Sequence, residues 1–448
     1  MRKGLAFSLL ILAASAARAD SQPVQNKWSA TLYGFAEYDA ISDTTQSLND
    51  LPGNSAIAKS GYAAEHGRLT MGVRNSRIGF KFTSPELPNG LRASGLIETD
   101  FFGAPNGLSG APNGGSGTAS PSEGSVFTSP GLRVRHAWVK LQTPVLDVLA
   151  GQNWELIGWQ PYFHPNTVEI QGVPGQVYSR SPQLRLSRMF TSDDVSLEVA
   201  VAASRPPERD AQMPDGQAGV RLVINNWKGA HTAGSTGTAI DGMMFGASGM
   251  VRKIELAQFK ASNPAATSST AGYGVSLDGF IPVIPAKDND RSNSLSLNGS
   301  YVRGAGTADI YTGLTGGIGA PNPQVTYAGG PTTMDAGIVG FDSKGDLTAI
   351  QWRSFMVGAQ YYLPGGGNFW VSANYSQMNS DNIADLAANT GSKAANVFQR
   401  SRWADANLFW DVTPAVRFGA EYAWFEQTYG DGASAHNNRY QFSAFYLF

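Results

Sequence analysis

The C-terminal segment 439–448 limits the fold more than any other part of the chain. Tyr440, Phe442, Ala444, Tyr446 and Phe448 alternate with Arg439, Gln441, Ser443 and Phe445, and Phe448 is the final residue. Successive side chains of a strand point to opposite faces, so the segment predicts a strand with one apolar face and one largely polar face. A soluble sandwich, the competing reading, seldom leaves a terminal apolar stripe unprotected. In a closed transmembrane barrel the last strand pairs with the first, and its apolar face meets lipid.

The other end agrees. Arg2 and Lys3, an apolar run over residues 5–14, and Ala17-Arg18-Ala19 before Asp20 predict a signal peptide over residues 1–19, cleaved on export. Residues 20–448 then form the mature chain, which no linker or composition shift divides, so a single domain is expected. No later run approaches ~18 uncharged apolar residues, which argues against membrane-spanning helices. With 52 Gly, 10 Trp, 16 Tyr and 22 Phe but only 15% charged residues, the composition suits tight turns and aromatic girdles. The mean hydropathy of −0.21 is compatible with membrane residence, because only every second residue of a barrel strand need be apolar. The absence of Cys removes disulfide and thiol chemistry. Setting aside Arg2, Lys3 and Arg18 leaves an acidic balance, unsuited to general nucleic-acid binding.

Alternating segments recur near 28–39, 69–83, 91–102, 131–142, 147–155, 182–190, 195–204, 217–226, 242–254, 271–282, 292–303, 350–363, 367–378, 402–412, 415–426 and 438–448. The fold class predicted is all-β: an antiparallel transmembrane β-barrel of about 16 strands, with both termini on the periplasmic side. Another hairpin around 336–341 would raise the count to ~18. Short turns such as 143–146, 191–194, 364–367 and 411–414 should be periplasmic, and the long excursions extracellular. The connection near 227–241 is long for a periplasmic turn. Val195, Leu197, Val199 and Val201 form one predicted lipid-facing row; Val416, Phe418, Ala420, Tyr422 and Trp424 form another. A polar interior would imply a water-filled lumen.

Four segments, RNSRIGFKF (74–82), IETDFFG (97–103), GLRVRHAWV (131–139) and LAGQNW (149–154), occur in the order found in DcaP-like outer-membrane porins, and the chain resembles that family best over 28–190. It is more distantly similar to the phosphate-selective porins O and P. The resemblance implies a sixteen-stranded homotrimer in the outer membrane of a Gram-negative bacterium, passing small, often anionic, solutes. One departure is the lack of a heptad-bearing helical segment between Asp20 and Trp28, where DcaP-like relatives carry a coiled coil.

The segment 156–181, rich in Pro, Gly and aromatics, falls where porins of this architecture fold a loop inward as a constriction. Tyr162, His164 and Glu169 on this loop are candidate pore residues. Opposite it, wall charges would set selectivity. Alternation turns Arg77, Arg92, Arg133, Arg135 and Arg185 inward, with Lys81, Arg221, Arg417 and Arg439. Glu98, Asp100, Glu198, Asp278 and Glu421 are the inward acids, so cations are expected to outnumber acids on the wall. The same register gives Leu132, Val134 and Trp138 to the exterior, and His136 to lipid or a subunit neighbour. Arginine is twice as common as lysine, and its planar fork suits carboxylate and phosphate.

These residues predict a diffusion channel for small anionic or neutral hydrophilic solutes, with a weak to moderate anion preference. Its other expected partners are further copies of itself, as a homotrimer, and outer-membrane lipids. Neither a cofactor nor a metal is expected: the five His show no ligand spacing, and Asp288-Asn289-Asp290 reads as a turn. The rivals are a non-conducting structural or adhesive barrel, and an outer-membrane hydrolase. The hydrolase would need a Ser or acid near a rim His; no Ser–His pairing is evident, so no catalytic residue is expected.

Overall fold

The computed structural model describes residues 28–48, 56–103, 130–168, 172–208, 211–234, 236–258, 266–287, 290–312, 335–387 and 393–448. Strands β1 (Ser29–Asp43), β2 (Arg68–Gly72), β3 (Arg77–Thr83), β4 (Arg92–Gly103), β5 (Gly131–Gln142) and β6 (Asp147–Trp154) begin the wall. It continues through β7 (Arg180–Thr191), β8 (Val195–Ser204), β9 (Asp215–His231), β10 (Ala239–Ala257), β11 (Thr267–Ile284) and β12 (Leu295–Ala305). Past a small hairpin of β13 (Val339–Phe341) and β14 (Leu347–Ala349), it ends with β15 (Gln351–Tyr362), β16 (Phe369–Ser380), β17 (Phe398–Thr413), β18 (Val416–Tyr429) and β19 (Ser434–Leu447).

The wall sheet contains 17 segments, but β2 and β3 both pair with β1 and share one position, so the barrel has sixteen strands. Every neighbouring pair is antiparallel, and β1 closes on β19 from Phe35↔Leu447 to Asp43↔Arg439. The terminal residue takes part: Gly34 N donates to Phe448 O at 2.9 Å, and Phe448 N to Gly34 O at 3.0 Å. A closed sheet leaves no unpaired edge, which is the condition for crossing a bilayer with strands. Among the described residues β13 and β14 pair only with each other, and they pack inside the barrel, so they add nothing to the strand count.

The exterior rows are as the alternation predicts. Val195, Leu197, Val199 and Val201 on β8, and Tyr440, Phe442 and Tyr446 on β19, are exposed, while Gln441 and Ser443 between them are buried. Toward the short-turn end, Phe369 stacks on Trp410 and Phe418 on Phe442, with ring centroids 5.5 and 6.0 Å apart. Such rings form an interfacial girdle. The interior departs from the expectation of a uniformly polar lumen. Inward Met250, Ile254, Val302, Trp352, Met356, Met378, Trp403 and Phe425 join β13, β14 and the helical turn Ile383–Ala387 in one buried apolar cluster. Segments from the long-loop end fill that half of the barrel, because the apolar residues they carry can only leave water by folding inward.

Candidate functional site

Between β6 and β7 the chain leaves the wall. Leu156 N and Ile157 N donate to Gln217 Oε1 at 2.9 and 3.0 Å, and Gly158 N donates to Ser248 Oγ at 2.8 Å. On the far side, Asn374 Nδ2 donates to Asn166 O at 2.7 Å, and Gln441 Nε2 to Val168 O at 3.1 Å. Gln217 and Ser248 lie on β9 and β10, Asn374 and Gln441 on β16 and β19, so the loop crosses the lumen from wall to wall. Buried backbone polar groups need such partners, and the inward polar row of each strand supplies them. Glycines let it approach: a Cβ on Gly246 would stand 2.9 Å from both Phe163 and Trp159. This is the inward loop read from 156–181.

Facing the loop, β3 to β7 carry the charged cluster. Arg133 holds Asp100 with a two-pronged contact, Nε–Oδ1 2.9 Å and Nη2–Oδ2 2.6 Å. Arg135 donates to Glu98 Oε1 at 2.7 Å, to Asp100 Oδ2 at 3.1 Å, and reaches Tyr178 Oη at 3.4 Å. Arg77 Nε lies 3.6 Å from Glu98 Oε1, whose other oxygen accepts from Tyr33 Oη at 2.8 Å. Arg180 lies 4.6 Å from the Trp154 ring and 5.2 Å from that of Tyr178, with no carboxylate ion pair among the described residues. The cluster thus sets Arg77, Arg133, Arg135 and Arg180 against Glu98 and Asp100, a local cationic excess. Bidentate and charge-assisted contacts of this kind hold guanidinium planes in fixed orientations.

Arg77, Arg133, Arg135, Glu98 and Asp100 therefore meet at the loop, as read from the sequence. Arg185 faces inward at the edge of the site, donating to Trp154 O at 2.6 Å. Arg92 does not join them. It starts β4 at the short-turn end and pairs with Glu86 at 3.1 Å, because alternation fixes a face but not a height. Tyr162 is half exposed in the lumen, its ring 3.6 Å from the Arg221 guanidinium. His164 packs edge-on against Trp154, with centroids 5.0 Å apart. Glu169, like Asp288 and Asn289, lies outside the described residues.

Two readings are corrected. An extra residue, Arg135, bulges opposite the Glu98–Thr99 step, so the faces of β5 swap beyond it. Ala137 and Val139 point outward, and His136 and Trp138 turn inward; His136 is buried against Trp154, and neither meets lipid or a neighbouring subunit. The wall as a whole is also not dominated by cations. Glu37, Asp39, Asp43, Asp215, Asp405 and Asp411 add buried inward acids, and Arg221, Arg252, Arg417 and Arg439 are each ion-paired. The excess is local to the loop-facing cluster. Arg180 escaped the sequence reading because strand parity would send it outward, and only its stacking on Trp154 and Tyr178 brings it to the site.

Arg77, Glu98, Arg135, His136 and Trp154 line the wall side of a cavity of about 310 Å³, and His164, Thr167 and Tyr178 of the loop line the other. Burial raises the Tyr178 phenol, but Arg135, Arg180 and Arg77 outweigh it and bring the pKa down to about 7. Burial, and then the same arginines, push His164 down to about 3, so it is neutral at physiological pH.

No protein-family model matches the chain, and no curated protein does either. Solved structures do. The outer-membrane channel DcaP of Acinetobacter baumannii is 17% identical, with a TM-score of 0.64 over 94% of this chain and 97% of that one. The trimer form of OmpT of Vibrio cholerae is 12% identical, with a TM-score of 0.51 over 94% and 100%. An anion-selective porin from Comamonas acidovorans is 12% identical, with a TM-score of 0.50 over 94% and 100%. The DcaP-like resemblance of the four motifs is thus met at the level of the fold, which is that of Gram-negative outer-membrane channels.

Proposed function

We propose that this outer-membrane barrel is a diffusion channel for small hydrophilic solutes, with a weak to moderate preference for anions. The observation that carries the reading is the uncancelled positive charge of the Arg77, Arg133, Arg135 and Arg180 cluster where the inward loop narrows the lumen. An anion is attracted there by the excess charge and accepts transient hydrogen bonds from guanidinium groups. The two carboxylates keep the field modest, so a solute is drawn in without being trapped.

Reversal potentials across a salt gradient test the charge. Wild type should favour anions, and Arg133→Ala/Arg135→Ala should move the reversal potential toward cations, because Glu98 and Asp100 lose their main partners. The preference should fade at 1 M salt, where the Debye length is ~3 Å. A cation-selective wild type, or an unchanged double variant, rules this reading out.

We also propose that residues 1–19 are removed on export and that the mature chain forms a homotrimer, in keeping with the family resemblance and with the trimer form of OmpT. Native mass spectrometry in mild detergent should report three copies; monomers alone would refute it.

A further inference from the structure

The β9–β10 connection is the one link at the short-turn end whose length stands out in the sequence. Lys228 pairs with Gly242 but Ile224 pairs with Met243, so 225–227 bulge out of the ladder. Beyond this bulge the two strands no longer extend the wall. Residues 228–231 and 239–242 form a hairpin that turns in under it, with Trp227 Nε1 fastened to Pro282 O at 2.7 Å. The turn lies against residues that face the lumen on the opposite side. Thr232 N donates to Gln360 Oε1 at 2.8 Å and Gln360 Nε2 returns to Thr232 O at 3.0 Å. Arg417 Nη1 donates to Thr236 O at 2.8 Å, and Arg291 Nη1 to Thr238 Oγ1 at 3.0 Å. Asp411 holds both arginines, at 2.6 Å from Arg291 and 2.5 Å from Arg417. Ala230 packs with Val168, Tyr362, Trp370 and Phe409 in a small apolar core. The hairpin also touches the inward loop itself, through Asn166 Nδ2 to Gly234 O at 3.2 Å.

We propose that this hairpin is a second constriction of the pore, placed on the periplasmic side of the inward loop and latched to the far wall by Asp411 through Arg291 and Arg417. The proposal rests on the reading of the barrel as a conducting channel. A solute leaving the arginine cluster passes the hairpin next, since Ala233, Gly234 and Thr236 line the same cavity as Arg77 and Arg135. The hairpin's hydrogen bonds and apolar packing make it a fixed obstacle, and removing it widens the exit without touching the cluster.

Single-channel recording in planar bilayers tests this with two variants. In the first, 230–240 is replaced by Asn-Gly, a two-residue link suited to closing a hairpin. Its conductance should rise on the order of two-fold, as expected when one of two similar resistances in series is removed. The second exploits the absence of cysteine: Gly237 is exposed, and a Cβ added there meets no described atom within 4 Å. Gly237→Cys, treated with a bulky thiol reagent from the periplasmic side, should lose conductance. Asp193→Cys, on a short turn outside the pore, should lose none. A conducting wild type whose shortened variant conducts equally, and whose modified Gly237→Cys is unaffected, overturns the second constriction and leaves the channel standing. A wild type that does not conduct overturns both. If the shortened chain fails to insert, the cysteine result alone decides.

Discussion

At the scale of single residues, the site's charge hinges on Tyr178. Its hydroxyl faces Arg135 from β5, Arg180 from β7 and Arg77 from β3, and these hold its pKa at about 7 despite burial. Below that pH the phenol is neutral and the arginine excess is undiminished; above it the phenolate cancels one positive charge. Anion preference should therefore fall between pH 6 and pH 8, and Tyr178→Phe should flatten the change. His164, already neutral across this range, contributes nothing to it. Reversal potentials at the two pH values check this; an equal slope in the variant refutes the role of Tyr178. Alternation was enough to turn Arg77, Arg133, Arg135, Glu98 and Asp100 to one face. It could not show that Arg92 sits a strand's length away, nor that Arg135 is itself the bulged residue, because a bulge leaves no mark in a hydrophobic pattern. His136 and Trp138 changed faces for that one reason.

At the scale of elements, the inward loop is held by its aromatics. Trp159 and Phe163 fill the hollow left by Gly219 and Gly246, and Trp159 Nε1 donates to Ala247 O at 3.1 Å. Trp159→Ala/Phe163→Ala should free this stretch of the loop. Single-channel traces should become noisier and their mean conductance should rise, while the wall keeps its ladder and its resistance to denaturation. Quiet traces at wild-type conductance would show that the backbone bonds to Gln217 and Ser248 suffice. The strands were legible because each pairs a lipid-facing row with an inward row, as on β8 and β19. The β13–β14 hairpin was legible only as a suspicion around 336–341, since a buried pair with both faces covered shows no alternation. That hairpin resolves the strand count at sixteen. The inward course of 228–241 was visible only as excess length, because Thr232 and Gly234 carry no pattern that distinguishes a lumen from water.

At the scale of the whole molecule, the barrel is divided lengthwise. The β10–β18 side is packed with long-loop segments around Trp352, and the polar cluster lies on the β3–β7 side. Stability and permeation should therefore separate. Trp352→Ala, which empties a fully buried ring site and breaks its Nε1 bond to Gly337 O at 3.1 Å, should cost about 3–5 kcal/mol. It should lower the temperature at which gel mobility shifts on heating, with conductance kept near wild type. A variant that melts normally would place the cluster outside the stability of the fold. The division has a second outcome, for the orientation of what passes. Guanidinium groups stand on one flank of the passage, and the loop with apolar packing behind it stands on the other, so the field runs across the path as well as along it. A solute with a dipole moment is turned by a transverse field. Two isomers of equal charge and size, one with its carboxylate at the end of its long axis and one with it at the side, would then present different cross-sections to the same opening and travel at different rates.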